Sequence, residues 1–112
     1  MVKTNQKTLA AIDPQMQPVV QFLWDNGYKT FMSCQGGDEH IFSNPIVGIT
    51  YSGKCYYEFQ NQLRLLLEDQ FLYFSINLKL SSSYVTSKKK RVIWENVYVE
   101  FSKKEIPNWK AK

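Results

Sequence analysis

The clearest pattern in the chain is an alternation at residues 71–81. Leu72, Phe74, Ile76, Leu78 and Leu80 interleave with Tyr73, Ser75, Asn77, Lys79 and Ser81. A period of two places each set on its own face of a strand, so the segment predicts a half-buried strand. Arg91 to Phe101 predicts its partner. Val97, Val99 and Phe101 share one face there, whereas Val92 and Trp94 have the opposite parity. A bulge near Glu95-Asn96 is expected to reconcile the two halves. Ser81 to Lys90 is polar and reads as the turn between the strands. Upstream, residues 55–69 follow a different period. Tyr56, Phe59, Leu63, Leu66 and Leu67 fall on one helical face, while Glu58, Asn61, Arg64 and Glu68 fall mostly elsewhere.

The first half of the chain repeats this order. Asp13-Pro14 is expected to open a helix, with Asp as cap and Pro in the first helical position. Pro18 lies too deep for a regular ladder, so the regular helix is expected to start near Gln17. Met16, Val19, Val20 and Leu23 form its apolar stripe, and Gly27 is the expected stop with positive φ. Tyr28 to Cys34 predicts a strand, Gln35 to Asn44 a loop, and Pro45 to Tyr51 a second strand closed by Ser52-Gly53. The element order is α-β-β-α-β-β. It predicts an α+β fold, an about four-stranded, mostly antiparallel sheet with two helices on one face. The other face, carrying Tyr73, Ser75, Asn77, Lys79, Tyr98 and Glu100, is expected to be open.

With 112 residues the chain fits one domain, 1–112, with flexible ends expected at 1–12 and 103–112. It is 44% hydrophobic and 15% aromatic, which excludes disorder as its main state. No apolar run reaches the ~20 residues of a membrane helix, and the first residues lack the apolar centre of a signal peptide. A cytoplasmic location is expected, with Cys34 and Cys55 as free thiols. Charge is divided unevenly. Residues 1–78 hold five Lys/Arg and seven Asp/Glu, a net of −2, while residues 79–112 hold nine and three, a net of +6.

Uncommon residue types gather in the loop after the first strand. Cys34, Gln35, Gly36, Gly37 and His40 lie within seven positions. Two glycines let backbone N–H groups turn inward as an anion nest, with Cys34 as a wall and His40 as a further donor. Cys34 with His40 is also the minimum for a nucleophile and its base. One histidine and two distant cysteines lack the paired spacing of a closed zinc site, so no metal and no cofactor are expected. The chain has no Walker loop, dinucleotide fingerprint or Gly-x-Ser-x-Gly elbow.

The string Ser33-Cys34-Gln35-Gly36-Gly37, with Thr30, His40, Phe42 and Pro45, resembles the Thr-x-x-Ser-Cys-Gln-Gly-Gly-x-x-His-x-Phe-x-x-Pro signature of a family of small phage and bacterial proteins of no assigned activity. The likeness covers roughly residues 20–52, and beyond these the helix and final strand. It implies a phage or prophage setting, with the host cytoplasm as the location, and implies no reaction.

The second candidate is the basic turn. Lys88, Lys89, Lys90 and Arg91 follow a run of hydroxyls, and Trp94 and Tyr98 lie just beyond. Cations beside hydroxyls suit phosphate contacts, and an aromatic ring can stack on a base. The expected function is capture of an anionic small ligand, such as a nucleotide signal in bacterial defence. The ligand would be held by Cys34, Gln35, Gly36, Gly37, His40, Lys88, Lys89, Lys90, Arg91 and Trp94. Three alternatives stand beside it: inhibition of a host protein through the sheet face or edge, cysteine-dependent catalysis by Cys34 and His40, and nucleic-acid binding through the basic C-terminal third. The balance leans away from an enzyme and toward a homo-oligomer.

Overall fold

The computed structural model describes residues 8–37, 40, 42–51 and 55–112. Residues 1–7, part of the expected flexible N-terminus, and Ser52-Gly53, the expected strand end, lie outside them. The α+β order holds. Helix α1 spans Gln17–Asp25 and is followed by strands β1 (Thr30–Cys34) and β2 (Ile46–Ile49). Helix α2 spans Tyr56–Glu68, and strands β3 (Phe74–Val85) and β4 (Lys90–Phe101) complete the fold. The sheet is antiparallel throughout, in the order β1-β2-β4-β3.

Proline placement sets the first boundary as the sequence implies. Pro14 to Met16 form one 3-10 turn, and the regular helix begins at Gln17 with Pro18 in its first turn. There its missing N–H removes no ladder bond. Asp13 departs from expectation, because its carboxylate makes no cap to the helix that follows. Gly27 ends α1 at φ +87.

One face of the sheet carries the core. Val47, Val99 and Ile76 form one cross-strand row, and Ile49, Val97 and Leu78 form the next. Val47, Val99, Ile49 and Val97, with the partly buried Ile76, meet Met16, Val19, Val20 and Leu23 from the first helical segment and Leu63 and Leu67 from α2, while Leu78 is 37% exposed. Burial of each such side chain contributes about 1.5–3 kcal/mol. On the opposite face Ser75, Asn77, Lys79 and Glu100 are exposed. The Tyr98 ring lies half-buried there, edge-on to Phe31 at 5.7 Å with Lys79 Nζ 5.4 Å from its centre.

Three expectations fail. The first is the C-terminal tail, which packs closely against the body. Ile106 is fully buried, and Trp109 stacks on Phe71 at 5.0 Å and meets Phe22 edge-on at 5.6 Å. The Glu105 carboxylate accepts the backbone N–H groups of Leu72 and Tyr73. Those bonds hold residues 72 and 73 ahead of β3, which explains why Leu72 is 84% exposed despite its alternation. Second, Ser81 to Val85 belong to β3, and the turn contracts to Thr86–Lys89. The αL conformation at Lys89, φ 50, closes it. Third, β4 has no bulge against β3, with unbroken pairing from Lys90↔Val85 to Phe101↔Phe74. The parity conflict dissolves for a different reason. Strand β2 pairs with β4 only from Ile49↔Val97 to Ile46↔Glu100. The backbone of Val92 and Trp94 lies past that cover.

The hairpin therefore has a covered base and an arm that becomes exposed beyond Asn96, which is itself 3% exposed. Seven cross-strand pairs, from Lys79↔Asn96 to Val85↔Lys90, extend beyond the last row that β2 covers. At the usual rise the arm is roughly 24 Å long. Leu80 is 67% and Tyr84 58% exposed on it.

Candidate functional site

The β1–β2 loop closes tightly on itself. Gly36 has φ +78, and a Cβ there would stand 2.6 Å from the Asn44 carbonyl carbon and 2.8 Å from Pro45 N. A side chain would therefore push the two ends of the loop apart, and only glycine fits. Gly37 has φ +119, and its N–H donates to the Ser43 carbonyl at 3.2 Å. The Gly37 carbonyl accepts the His40 N–H at 3.1 Å, which turns the loop back toward the strand end. Asp38, Glu39 and Ile41 lie outside the described residues.

The loop's amides face inward onto the protein. Gln35 N–H donates to Asp13 Oδ2 at 3.0 Å, Gly36 N–H to Cys34 Sγ at 3.4 Å, and Gly37 N–H to Ser43. An anion nest needs these donors unsatisfied. Each already has an acceptor, so the nest expected from Gly36-Gly37 is not formed. Gln35 also carries a buried Oε1 with no hydrogen-bond partner among the described residues.

These bonds gather three side chains instead. Asp13 Oδ2 lies 3.8 Å from His40 Nδ1, and one ligand atom each from Asp13, Cys34 and His40 lies within 4.8 Å of both others. Cys34 forms the floor of the cluster at 9% exposure. His40 and Asp13 form its rim, their side chains 31% and 34% exposed. Asp13 is the member that sequence reasoning missed. Asp before Pro reads as a local helix cap, and nothing in the sequence signals a bond to an amide 22 positions away. The second cysteine, Cys55, is exposed, and both thiols are free.

The basic residues lie elsewhere. Lys88 to Arg91 occupy the hairpin turn and the first residues of β4, all exposed. The β1–β2 loop joins the sheet at the Cys34↔Ile46↔Glu100 row, nine residues along β4 from Arg91. That separation is roughly 30 Å at the strand rise. Within one chain the two halves of the expected site do not meet. Arg91 Nη1 donates to Ser82 Oγ at 3.3 Å, and no tip cation has an acidic partner among the described residues. The Trp94 side chain lies outside those described; its backbone pairs opposite Ser81 in the arm.

A groove of about 430 Å³ lies at the hairpin's other end, lined in part by Asn44, Tyr73, Glu100, Lys103 and Lys104. The tip itself is an exposed turn. Burial pushes the Tyr28 and Tyr56 phenols above their ordinary range, and neither belongs to the cluster or the tip. Among the described residues no helix is long and apolar enough to cross a membrane.

The fold and these two regions define a two-layer α+β protein with a projecting β-ribbon. No protein-family model, curated protein or solved structure matches this chain.

Proposed function

We propose that this protein binds nucleic acid through the β3–β4 arm. The observation that carries this reading is the placement of four consecutive cations, Lys88 to Arg91, at the exposed tip of an unsupported two-stranded ribbon. Small anionic ligands are held in concave sites that enclose them. An exposed cationic tip suits an extended polyanion, whose phosphates it meets one after another. A two-stranded ribbon also has the width that a DNA major groove admits. Ser82 beside Arg91 and the exposed Tyr84 add a hydroxyl and an aromatic surface on the same face of the ribbon. The loop at Cys34 takes no part in this reading, since it stands at the far end of the sheet.

The test is fluorescence anisotropy of labelled duplex and single-stranded oligonucleotides across salt concentrations. With three to four phosphates neutralised, the slope of log affinity against log salt should be about −3, a loss of roughly 60-fold between 50 and 200 mM salt. Replacing Lys88, Lys89, Lys90 and Arg91 together by Gln should abolish that slope. Affinity unchanged in the Gln variant would defeat the reading, as would binding indifferent to salt.

A further inference from the structure

We propose that Asp13, Cys34 and His40 form a binding site for a borderline divalent metal ion of the zinc type, with a coordination position open to solvent. The shape of the cluster separates this from a cysteine nucleophile. In a Cys-His-Asp relay the imidazole stands between the other two groups. Sulfur and carboxylate are then about 7 Å apart, the span of the ring plus two hydrogen bonds. Here the sulfur, the carboxylate oxygen and the imidazole nitrogen lie within 4.8 Å of one another. That is a compact triangle, the arrangement that three ligands adopt around one ion.

The donor set names the metal class. Thiolate and imidazole select borderline and soft cations over magnesium or calcium, which prefer all-oxygen shells. A thiolate and a carboxylate together bring two negative charges to match a divalent ion. Donor atoms around tetrahedral zinc stand ~3.3–3.8 Å apart. Drawing the three side chains inward by about 1 Å reaches that spacing.

The surroundings fix the ligands as a metal site requires. Gln35 N–H holds the Asp13 carboxylate, and Gly36 N–H points at the Cys34 sulfur. Such outer bonds orient ligands and tune them. Three protein ligands with a buried floor and a half-exposed rim leave one side for water or an exogenous ligand, as in metal sites that act on a substrate.

The test uses the full chain with Co²⁺ as probe and tris(2-carboxyethyl)phosphine as reductant. One equivalent of Co²⁺ should give a sulfur-to-cobalt charge-transfer band, and Zn²⁺ should displace it. Cys34→Ser should remove the band and Cys55→Ser should leave it intact. His40→Gln changes a half-exposed side chain, so the fold should survive; it should weaken Co²⁺ affinity ~100-fold or more. Asp13→Asn should weaken it as well. As a second measurement, Zn²⁺ should slow alkylation of Cys34 but not of Cys55, read by mass spectrometry of the modified peptides. The proposal is overturned if folded wild-type protein gives no charge-transfer band. It is equally overturned if the band follows Cys55, if His40→Gln leaves affinity unmoved, or if Zn²⁺ leaves Cys34 alkylation unchanged.

Discussion

The two ends of the β3–β4 hairpin use the same strands and an unbroken register, yet they live in different environments. At the base, Phe74 and Ile76 pair with Phe101 and Val99 over a core closed by two helices. In the arm, Leu80 and Tyr84 continue the alternation and are largely exposed. Alternation therefore specifies the strand and its two faces, but it does not say where the cover ends. The cover ends where β2 does, at Ile49↔Val97, because a four-residue strand cannot support a twelve-residue one along its whole length. Stability should collect at the base, and contact with partners should collect in the arm.

The largest contrast should come from truncating the same kind of side chain at each end. Phe101→Ala removes a ring that is 2% exposed and packs against Phe71 at 4.7 Å. It should cost about 3–5 kcal/mol. Leu80→Ala, in the same hairpin, should fall within about 0.5 kcal/mol of wild type. Urea denaturation followed by circular dichroism measures both. Equal losses at the two positions would mean that the arm is covered in solution.

A smaller contrast separates two glycines that both have positive φ. Gly27 at the end of α1 meets nothing within 4 Å of an added Cβ, so Gly27→Ala should cost only the left-handed backbone penalty, about 1–2 kcal/mol. Gly36→Ala carries the same penalty and also drives a Cβ into the Asn44–Pro45 backbone. It should be the more destabilising by at least ~1 kcal/mol. It should also open the loop that brings His40 to Cys34. Matched melting temperatures for the two variants would contradict the close approach at Gly36.

These comparisons show how far the sequence could be read. The element order, the helix start at Gln17, the stop at Gly27 and the inward set Val97, Val99 and Phe101 all rest on local chemistry, and all were legible. The docked tail was not. Lys103, Lys104, Lys110 and Lys112 dominate its composition and mask the two anchors, Ile106 and Trp109, that hold it. The loop was legible as a special place because rare residue types crowd there. Its organisation was not, because the bond from Gln35 to Asp13 depends on how α1 approaches the end of β1. The separation of Cys34 from the basic turn was hidden for a related reason. Both flank strands of one sheet, and only the pairing order shows that they sit at opposite ends.

The largest deletion should still have only a small effect on stability. Lys79 and Asn96 face each other directly, so residues 80–95 can be replaced by an Asn-Gly pair that closes a two-residue hairpin turn. The removed ribbon has two strands, and an isolated ribbon of that kind is at best marginally stable in water. It adds little to the core, which ends at Val97. The shortened protein should keep its melting temperature within about 5 °C, a change of about 1 kcal/mol for a chain of this size. Its oligonucleotide binding should disappear, while any Co²⁺ binding at Cys34 should persist. Hydrogen exchange on the intact protein gives the same division without a deletion. Amides of Leu80–Val85 and Lys90–Glu95 should exchange by local opening, well ahead of Val97–Phe101, which should open only with the whole fold. A fall of more than ~10 °C on shortening, or protection in the arm equal to that of the base, would show that the ribbon is supported by a neighbour such as a second copy of the chain. The exposed leucine and tyrosine would then belong to an interface, and the cations at the tip would frame it.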